Sequence, residues 1–309
     1  MSRTYAAVFP GQGSQAVGMA RDFHDSSAAA REVLERAEAV LPGLLDLMFE
    51  GPAGELQLTA NQQPALVAAG LAAWAAWQEA GAPAPAPAYA AGHSLGEFTA
   101  LCASGSLELE AALRLVRRRG ELMQEAVEAG GGAMAAVMKL SPEQIAETLA
   151  TVPGTVETAN LNSPAQTVIS GEEQAVGAAA DALKELGGRV IPLKVSAPFH
   201  CSLMQPAADR FAPLLAETTF TAGNFPVFSN VTARPHERER VAQRLEEQVT
   251  GTVRWTETVE RLSEAGVDCF IEFGSGKVLT GLAGRITKGV TAAAVTDMDG
   301  LAAALKEVN

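Results

Sequence analysis

The chain has 309 residues, of which 48% are hydrophobic and 19% charged, and its formal net charge is −13. This composition is typical of a soluble globular protein with a large core, and it excludes a disordered chain. The negative charge argues against nucleic acid and membrane as partners, because anionic surfaces are bound through basic ones. The longest apolar run, residues 64–77, is too short for a membrane span of about 20 residues.

The first part of the chain alternates between strand-like and helical patterns. It begins with a strand at residues 4–9, without the basic head of a signal peptide, which favours a cytoplasmic protein. The remaining predicted elements are helices at 27–40, 63–79 and 107–127, a proline-rich connector at 81–87, and a strand at 88–91. Such alternation predicts an α/β fold with layers packed on a sheet.

A second pattern follows the glycines at 130–132. The predicted order is strand, helix, strand, strand, helix, strand, at residues 133–139, 141–150, 156–159, 168–170, 172–186 and 189–193. This order is typical of a ferredoxin-like unit. We therefore predict a ferredoxin-like subdomain at residues 129–197, inserted in a larger α/β domain made of residues 1–128 and 198–309.

The segment Gly92–Gly96 has the G-x-S-x-G pattern of a nucleophile elbow, in which a serine occupies a strained turn between a strand and a helix. The glycines lack a Cβ, so the turn can be tight and a substrate carbonyl can approach the backbone. The pattern nominates Ser94 as a nucleophile. The three cysteines, Cys102, Cys201 and Cys269, are odd in number and lack C-x-x-C spacing, which favours reduced thiols and no metal site.

A serine nucleophile needs a positioned base, usually a histidine. His24 and His236 lie in polar stretches and are predicted to be solvated, and His93 is expected to point away from its neighbour Ser94. His200, in the apolar segment 196–201, is left as the base. The acidic side chains between the serine and His200 in sequence lie mostly in polar contexts, and Asp181 is expected on a solvent face. A Ser-His dyad with a neutral orienting group therefore fits better than a triad.

Two further features point to the same chemistry. Arg119 lies on the apolar face of the helix at 107–127, where a guanidinium needs a compensating anion, and a bound carboxylate suits its planar fork. The glycine-rich loop at 9–15 lacks the lysine of a phosphate loop. Its backbone N–H groups could instead form an oxyanion hole with that of Leu95.

Nearly the whole chain resembles the malonyl-CoA:acyl carrier protein transacylases. The segments that carry the resemblance are 9–15, 63–66, 92–97, 119–124, 160–164, 199–204 and 274–279. The resemblance implies an α/β-hydrolase-like large domain with an inserted ferredoxin-like small subdomain. It also implies that Ser94 is the nucleophile, His200 is its base and Arg119 binds the malonyl carboxylate.

The resemblance assigns the remaining site residues. The N–H groups of Gln12 and Leu95 would form the oxyanion hole, and the backbone carbonyl of Gln248 would orient His200. Five more residues would line the substrate site: Met123, Phe199, Gln63, Asn162 and His93.

The implied reaction is ping-pong transfer of malonyl from coenzyme A to acyl carrier protein, in fatty acid or polyketide synthesis. The resemblance implies a monomer and no cofactor, since the coenzyme A thioester is the substrate. Two alternatives remain open from the residues. One is a thioesterase or serine hydrolase built on the same elbow, and the other is a catalytically silent protein that binds acyl-CoA or carrier protein.

Overall fold

A computed structural model describes residues 3–80, 86–127, 131–195 and 197–308. The strands are β1 (Tyr5–Phe9), β2 (Tyr89–Gly92), β3 (Gly132–Met138), β4 (Val156–Ser163), β5 (Gln166–Glu172), β6 (Arg189–Pro192), β7 (Val227–Phe228), β8 (Cys269–Phe273) and β9 (Thr291–Val295). The predicted connector at 81–87 and the glycines at 130–132 fall partly outside the described residues.

The helices in the first part of the chain are α1 (Arg21–Ser26), α2 (Ala28–Val40), α3 (Leu44–Glu50), α4 (Ala53–Leu56), α5 (Thr59–Glu79), α6 (Gly96–Ala103) and α7 (Leu109–Glu125). Those that follow are α8 (Pro142–Leu149), α9 (Glu173–Glu185), α10 (Gln205–Ala216), α11 (Val241–Thr250), α12 (Trp255–Glu264), α13 (Val278–Ile286) and α14 (Met298–Val308). No helix within the described ranges is long and apolar enough to cross a membrane.

The large sheet is parallel, with the strand order β7-β2-β1-β8-β9. Successive side chains of β1 point to opposite faces, as the period of a strand requires. Tyr5, Ala7 and Phe9 enter the core that includes α2, α5 and α7, whereas Ala6 and Val8 enter the core formed with α12 and α13. Helices therefore cover both faces of this sheet, in agreement with the predicted α/β layers.

Helix α5 begins at Thr59, four residues before the predicted start at 63, and it contains Pro64. Proline lacks the N–H that would bond to the carbonyl four residues earlier. That carbonyl belongs to Ala60, and it accepts instead from Arg117 Nη1 at 3.4 Å. The side chain of Gln124 also accepts from the Ala60 N–H. Contacts from α7 thus support a helix start that the sequence pattern alone does not predict.

The small sheet is antiparallel and has the order β4-β5-β3-β6. This order, with α8 and α9 in the connections, is that of a ferredoxin-like unit, and it confirms the predicted fold class. Ser141 caps α8 in a capping box with Gln144. One face of the sheet packs against α8 and α9, while Met134, Ala136 and Val168 join the core of the large domain. The domain boundaries at 129 and 197 stay a prediction.

Strand β4 connects the small sheet to a segment of the large domain through an isolated bridge between Asn160 and Val253. It runs to Ser163, beyond the predicted end at 159, because its second half continues to pair with β5 and also bonds to the segment after α11. The N–H of Leu161 donates to the Val253 carbonyl at 2.9 Å, and the N–H of Val253 donates to the Ala159 carbonyl at 2.9 Å. These bonds place the small sheet next to the carboxyl end of α11.

Candidate active site

The G-x-S-x-G segment forms the predicted strand-to-helix turn between β2 and α6. β1 and β2 are parallel neighbours in which Phe9 pairs with Gly92, so the loops that follow them lie side by side. A Cβ on Gly92 would lie 1.9 Å from the Gly96 carbonyl group, and one on Gly96 would lie 2.0 Å from the Phe9 oxygen. Both positions therefore require glycine. Between them, Ser94 adopts a left-handed φ of 50°, which is a strained conformation for serine.

Asn230 holds this strained turn. Its Oδ1 accepts from the Ser94 N–H at 2.6 Å, and its Nδ2 donates to the Gly92 carbonyl at 2.7 Å. Asn230 is buried and follows β7, the strand beside β2. No pattern in the sequence identifies Asn230, because an asparagine after a short strand carries no signal of this distant contact.

The structure brings Ser94 and His200 together, with Ser94 Oγ 2.8 Å from His200 Nε2. On the other side of the ring, Nδ1 lies 2.9 Å from the Gln248 carbonyl and 3.1 Å from the Gly251 carbonyl. Two carbonyl acceptors place the proton of the neutral ring on Nδ1 and leave Nε2 free to accept from the serine. The sequence resemblance predicts the contact with the Gln248 carbonyl but not the one with the Gly251 carbonyl.

His200 is neutral at physiological pH. Burial, and next the positive charge of Arg119, lower the pKa of His200 from 6.5 to about 3. A neutral imidazole is the form that removes a proton from a hydroxyl.

Arg119 also reaches the serine. It is fully buried, as the helical pattern predicts, and its Nη2 donates to Ser94 Oγ at 3.2 Å. Nη2 also donates to Gln248 Oε1 at 2.9 Å, and Nη1 donates to Gln63 Oε1 at 3.0 Å. The guanidinium is thus fixed by two neutral amides within hydrogen-bonding distance of the candidate nucleophile.

Two properties suit Arg119 to an incoming anion. Its Nε is buried and has no partner among the described residues. Burial lowers the pKa of Arg119 to about 10, against the opposing effect of the nearby Glu97 carboxylate, so the group is charged at neutral pH. A desolvated cation with an unused donor gains more from a carboxylate than an exposed one does.

The remaining predicted substrate residues lie around this centre. Gln63 Nε2 lies 3.9 Å from Met123 Sδ, and Phe199 is buried directly before His200. The His93 side chain bonds toward β4, with its Nε2 2.8 Å from Asn162 Oδ1. Burial lowers the pKa of His93.

The loop after β1 lies against the elbow. A Cβ on Gly11 would lie 2.5 Å from the His93 carbonyl oxygen, and the side chain of Gln12 donates to Gln62 Oε1 at 2.6 Å. Within the described ranges, the backbone N–H groups of Gln12 and Leu95 have no protein acceptor. Two unused N–H groups from adjacent loops are what an oxyanion hole requires.

The expectation that His236 is solvated is wrong. Its side chain is 4% exposed, and Nε2 lies 2.6 Å from Oε1 of the fully buried Glu97. The chain turns back after β7, where Phe228 bridges Pro235 and the His236 N–H donates to the Val227 carbonyl. This turn brings the histidine from a charged run into the interior. The predicted solvent exposure of His24 and Asp181 is confirmed. His24 is partly exposed beside Asp25, and Asp181 is 78% exposed beside Lys184.

Residues 6–297 match the acyl transferase domain family, and the chain belongs to this family. The malonyl CoA-acyl carrier protein transacylase of Escherichia coli (strain K12) is 44% identical over 307 residues, which cover 98% of this chain and 99% of that protein. The protein of the same name from Bacillus subtilis (strain 168) is 41% identical over 313 residues and 98% of each chain.

The chain is also similar to solved structures of malonyltransferases. An acyl carrier protein S-malonyltransferase from Vibrio cholerae has a TM-score of 0.93 and 45% identity, covering 97% of this chain and 99% of that one. A malonyl-transacylase in complex with a type II PKS acyl-carrier protein has a TM-score of 0.94 and 44% identity, covering 98% and 99%. The predicted family and the predicted class of enzyme, an acyltransferase, are confirmed.

Proposed function

We propose that the protein transfers a malonyl group from coenzyme A to the phosphopantetheine thiol of an acyl carrier protein, through a malonyl ester on Ser94. The observation that carries the proposal is the convergence on Ser94 Oγ of a neutral base, His200 Nε2 at 2.8 Å, and a buried cation, Arg119 Nη2 at 3.2 Å. The base accounts for acyl transfer, and the cation accounts for an acyl group that ends in a carboxylate. The names of the relatives support this substrate.

In the first half of the reaction, His200 Nε2 takes the proton of Ser94 Oγ as this oxygen attacks the malonyl thioester carbon. The negative charge on the carbonyl oxygen is stabilised by the N–H groups of Gln12 and Leu95. The C–S bond then breaks, and the coenzyme A sulfur leaves with the proton from His200. Throughout, Nδ1 of His200 keeps its proton toward the Gln248 and Gly251 carbonyls.

The second half reverses these steps with a different thiol. The carrier thiol gives its proton to His200 and attacks the malonyl ester carbon, and Ser94 Oγ leaves and regains the proton. Arg119 holds the free carboxylate in both halves, while Gln63, Met123, Phe199, Asn162 and His93 line the substrate site. Since every proton and bond change is handled by side chains and substrates, the proposed enzyme uses no cofactor. We further propose that it is a cytoplasmic monomer.

The test of this function is the covalent intermediate. Purified protein incubated briefly with malonyl-CoA should gain the mass of one malonyl group, and peptide mapping should place it on Ser94. Addition of a carrier protein bearing phosphopantetheine should remove the group and transfer it to the carrier thiol. Failure to form the adduct, or release of the group only as free malonate in the presence of the carrier, would argue for another function or for a hydrolase.

The pH dependence of this adduct follows from His200. Because its pKa is lowered from 6.5 to about 3, the base stays neutral as the pH falls from 8 to 5. The rate of Ser94 malonylation should therefore change by less than about threefold over this range, whereas a histidine with the ordinary pKa would lose more than about tenfold by pH 5. Quenched-flow mass spectrometry on protein that stays folded at each pH checks this, and a midpoint near 6.5 would contradict it.

Low pH should also destabilise the fold through the same residue. In the unfolded chain His200 binds a proton below about pH 6.5, whereas in the folded protein it does so only near pH 3. The unfolded state therefore binds more protons between these values, and the stability from this group falls as the pH decreases through the window.

A further inference from the structure

Glu97, the first acidic residue after the elbow, lies at the centre of a buried polar network. It is fully buried, and its Oε2 accepts from Gln248 Nε2 at 2.7 Å and from the Asn230 N–H at 3.0 Å. Its Oε1 is 2.6 Å from His236 Nε2. Both oxygens of the carboxylate are therefore engaged, as a buried charge requires.

Through one of these contacts, Glu97 determines the orientation of the Gln248 side chain. Gln248 Nε2 donates to Glu97 Oε2 and to the Ser94 carbonyl at 2.9 Å, while Gln248 Oε1 accepts from Arg119. Rotating the amide by 180° would place its oxygen against two acceptors and its NH₂ group against the guanidinium. The network thus permits only the orientation that presents an oxygen to Arg119.

Through a second contact, Glu97 supports the elbow. The Asn230 backbone that donates to Glu97 carries the side chain that bonds Ser94 N–H and the Gly92 carbonyl. The Glu97 carboxylate, three residues after Ser94, thereby fixes Asn230, which holds the strained turn. It also fixes the Gln248 amide, which bonds to Arg119.

We propose that Glu97 is a positioning residue of the acyl transfer site, which aligns Arg119 through the Gln248 side chain and Ser94 through Asn230. The inference rests on the proposed malonyl transfer, because the benefit of aligning Arg119 is specific to an acyl group with a free carboxylate. His236 supports Glu97 by donating to the oxygen that the two amide contacts leave unused. Glu97 also supplies negative charge near Arg119, and its carboxylate favours the charged form of the guanidinium.

Replacement of Glu97 with glutamine tests the proposal while nearly preserving side-chain shape. Glutamine has one acceptor oxygen and no charge, so it keeps the bonds from Gln248 and Asn230 only if its NH₂ group faces His236, which must then change tautomer and bury an Nδ1–H that has no acceptor among the described residues. In the other orientation the NH₂ group opposes the two donors. Either way the hold on the Gln248 amide weakens, and the negative charge near Arg119 is lost. We expect kcat/KM for malonyl transfer to fall on the order of 10- to 100-fold. The ratio of malonyl to acetyl transfer should fall at least about fivefold, because acetyl has no carboxylate for Arg119 to bind.

A matched control distinguishes alignment from loss of a buried carboxylate. Glu272 is also fully buried, but its carboxylate accepts from the Leu279 and Thr280 N–H groups and the Thr280 hydroxyl, at the start of α13. Glu272→Gln should lower the unfolding midpoint in denaturant and leave the malonyl-to-acetyl ratio within about twofold of the unsubstituted protein. A ratio that falls equally in both variants would overturn the assignment to Glu97.

The path through Gln248 is tested by a double-mutant cycle. Gln248→Ala keeps the backbone carbonyl that orients His200 but removes the bridge to Arg119, so it should lower the malonyl-to-acetyl ratio by itself. The effects of Glu97→Gln and Gln248→Ala should not multiply in the double variant. Multiplying effects would overturn the inference. An unchanged ratio in Gln248→Ala would also overturn it, and that ratio can be measured even if Glu97→Gln fails to fold. If the unsubstituted protein transfers no malonyl, the proposed function fails instead.

Discussion

Replacing Ser94 with alanine is expected to reduce malonyl transfer by a factor on the order of 10⁴ or more, because no covalent intermediate can form. The adduct produced by malonyl-CoA should disappear from the intact-mass spectrum. Binding of malonyl-CoA, measured by calorimetry, should persist, since the Arg119 guanidinium stays in place with its bonds to Gln63 and Gln248.

Ser104→Ala is a suitable control for this change. Ser104 is buried like Ser94 and lies just after α6, where its hydroxyl donates to the Leu101 carbonyl at 2.8 Å. Its replacement should affect stability without abolishing the adduct. If Ser94→Ala still accumulates one malonyl group per chain, another side chain is the nucleophile and the proposed mechanism is wrong.

Replacing Arg119 with alanine should reduce malonyl transfer much more than acetyl transfer. Malonyl transfer should fall on the order of 10²- to 10³-fold, because a buried carboxylate would lose its cation, whereas acetyl transfer should change by less than about tenfold. Arg119→Lys should recover only part of the loss, because an ammonium cannot form the planar two-donor contact of a guanidinium. The measurement is kcat/KM for malonyl-CoA and acetyl-CoA with the same carrier protein.

The neighbouring arginine provides the control for Arg119. Arg118 is on the same helix, but its side chain is 38% exposed and pairs with Glu121 at 2.9 Å. Arg118→Ala should leave the malonyl-to-acetyl ratio unchanged. Equal losses for the two acyl groups in Arg119→Ala would mean that the guanidinium serves the fold or the serine and not the malonyl carboxylate.

The sequence predicts the scaffold of the site well because the relevant signals are local. Short apolar runs place β1 and β2, a helical pattern places α7, and the glycines of the elbow indicate a close backbone approach that this turn requires. The position of Arg119 follows from the same helical period. The order of elements at 133–193 predicts a small sheet whose strand order is the one the structure has.

The polar network around the elbow was not predictable in this way. Asn230, His236 and the Gly251 carbonyl reach the site through tertiary packing, and nothing in their neighbouring residues reports it. The charged run around His236 even favours the opposite interpretation. Glu97 offers one signal, since it is the single charged residue in the mostly apolar helix Gly96–Ala103, and an isolated charge there requires a buried partner.

The bonds between β4 and Val253 have a consequence for engineering acyl selectivity. The segment that pairs with β4 begins two residues after Gly251, whose carbonyl, like that of Gln248, contacts the imidazole of His200. A ferredoxin-like unit taken from a homologue would thus bring a different β4 against the backbone next to the carbonyls that orient His200. A chimera should exchange residues 248–256 together with the insertion, so that β4 and the backbone segment to which it bonds come from the same protein.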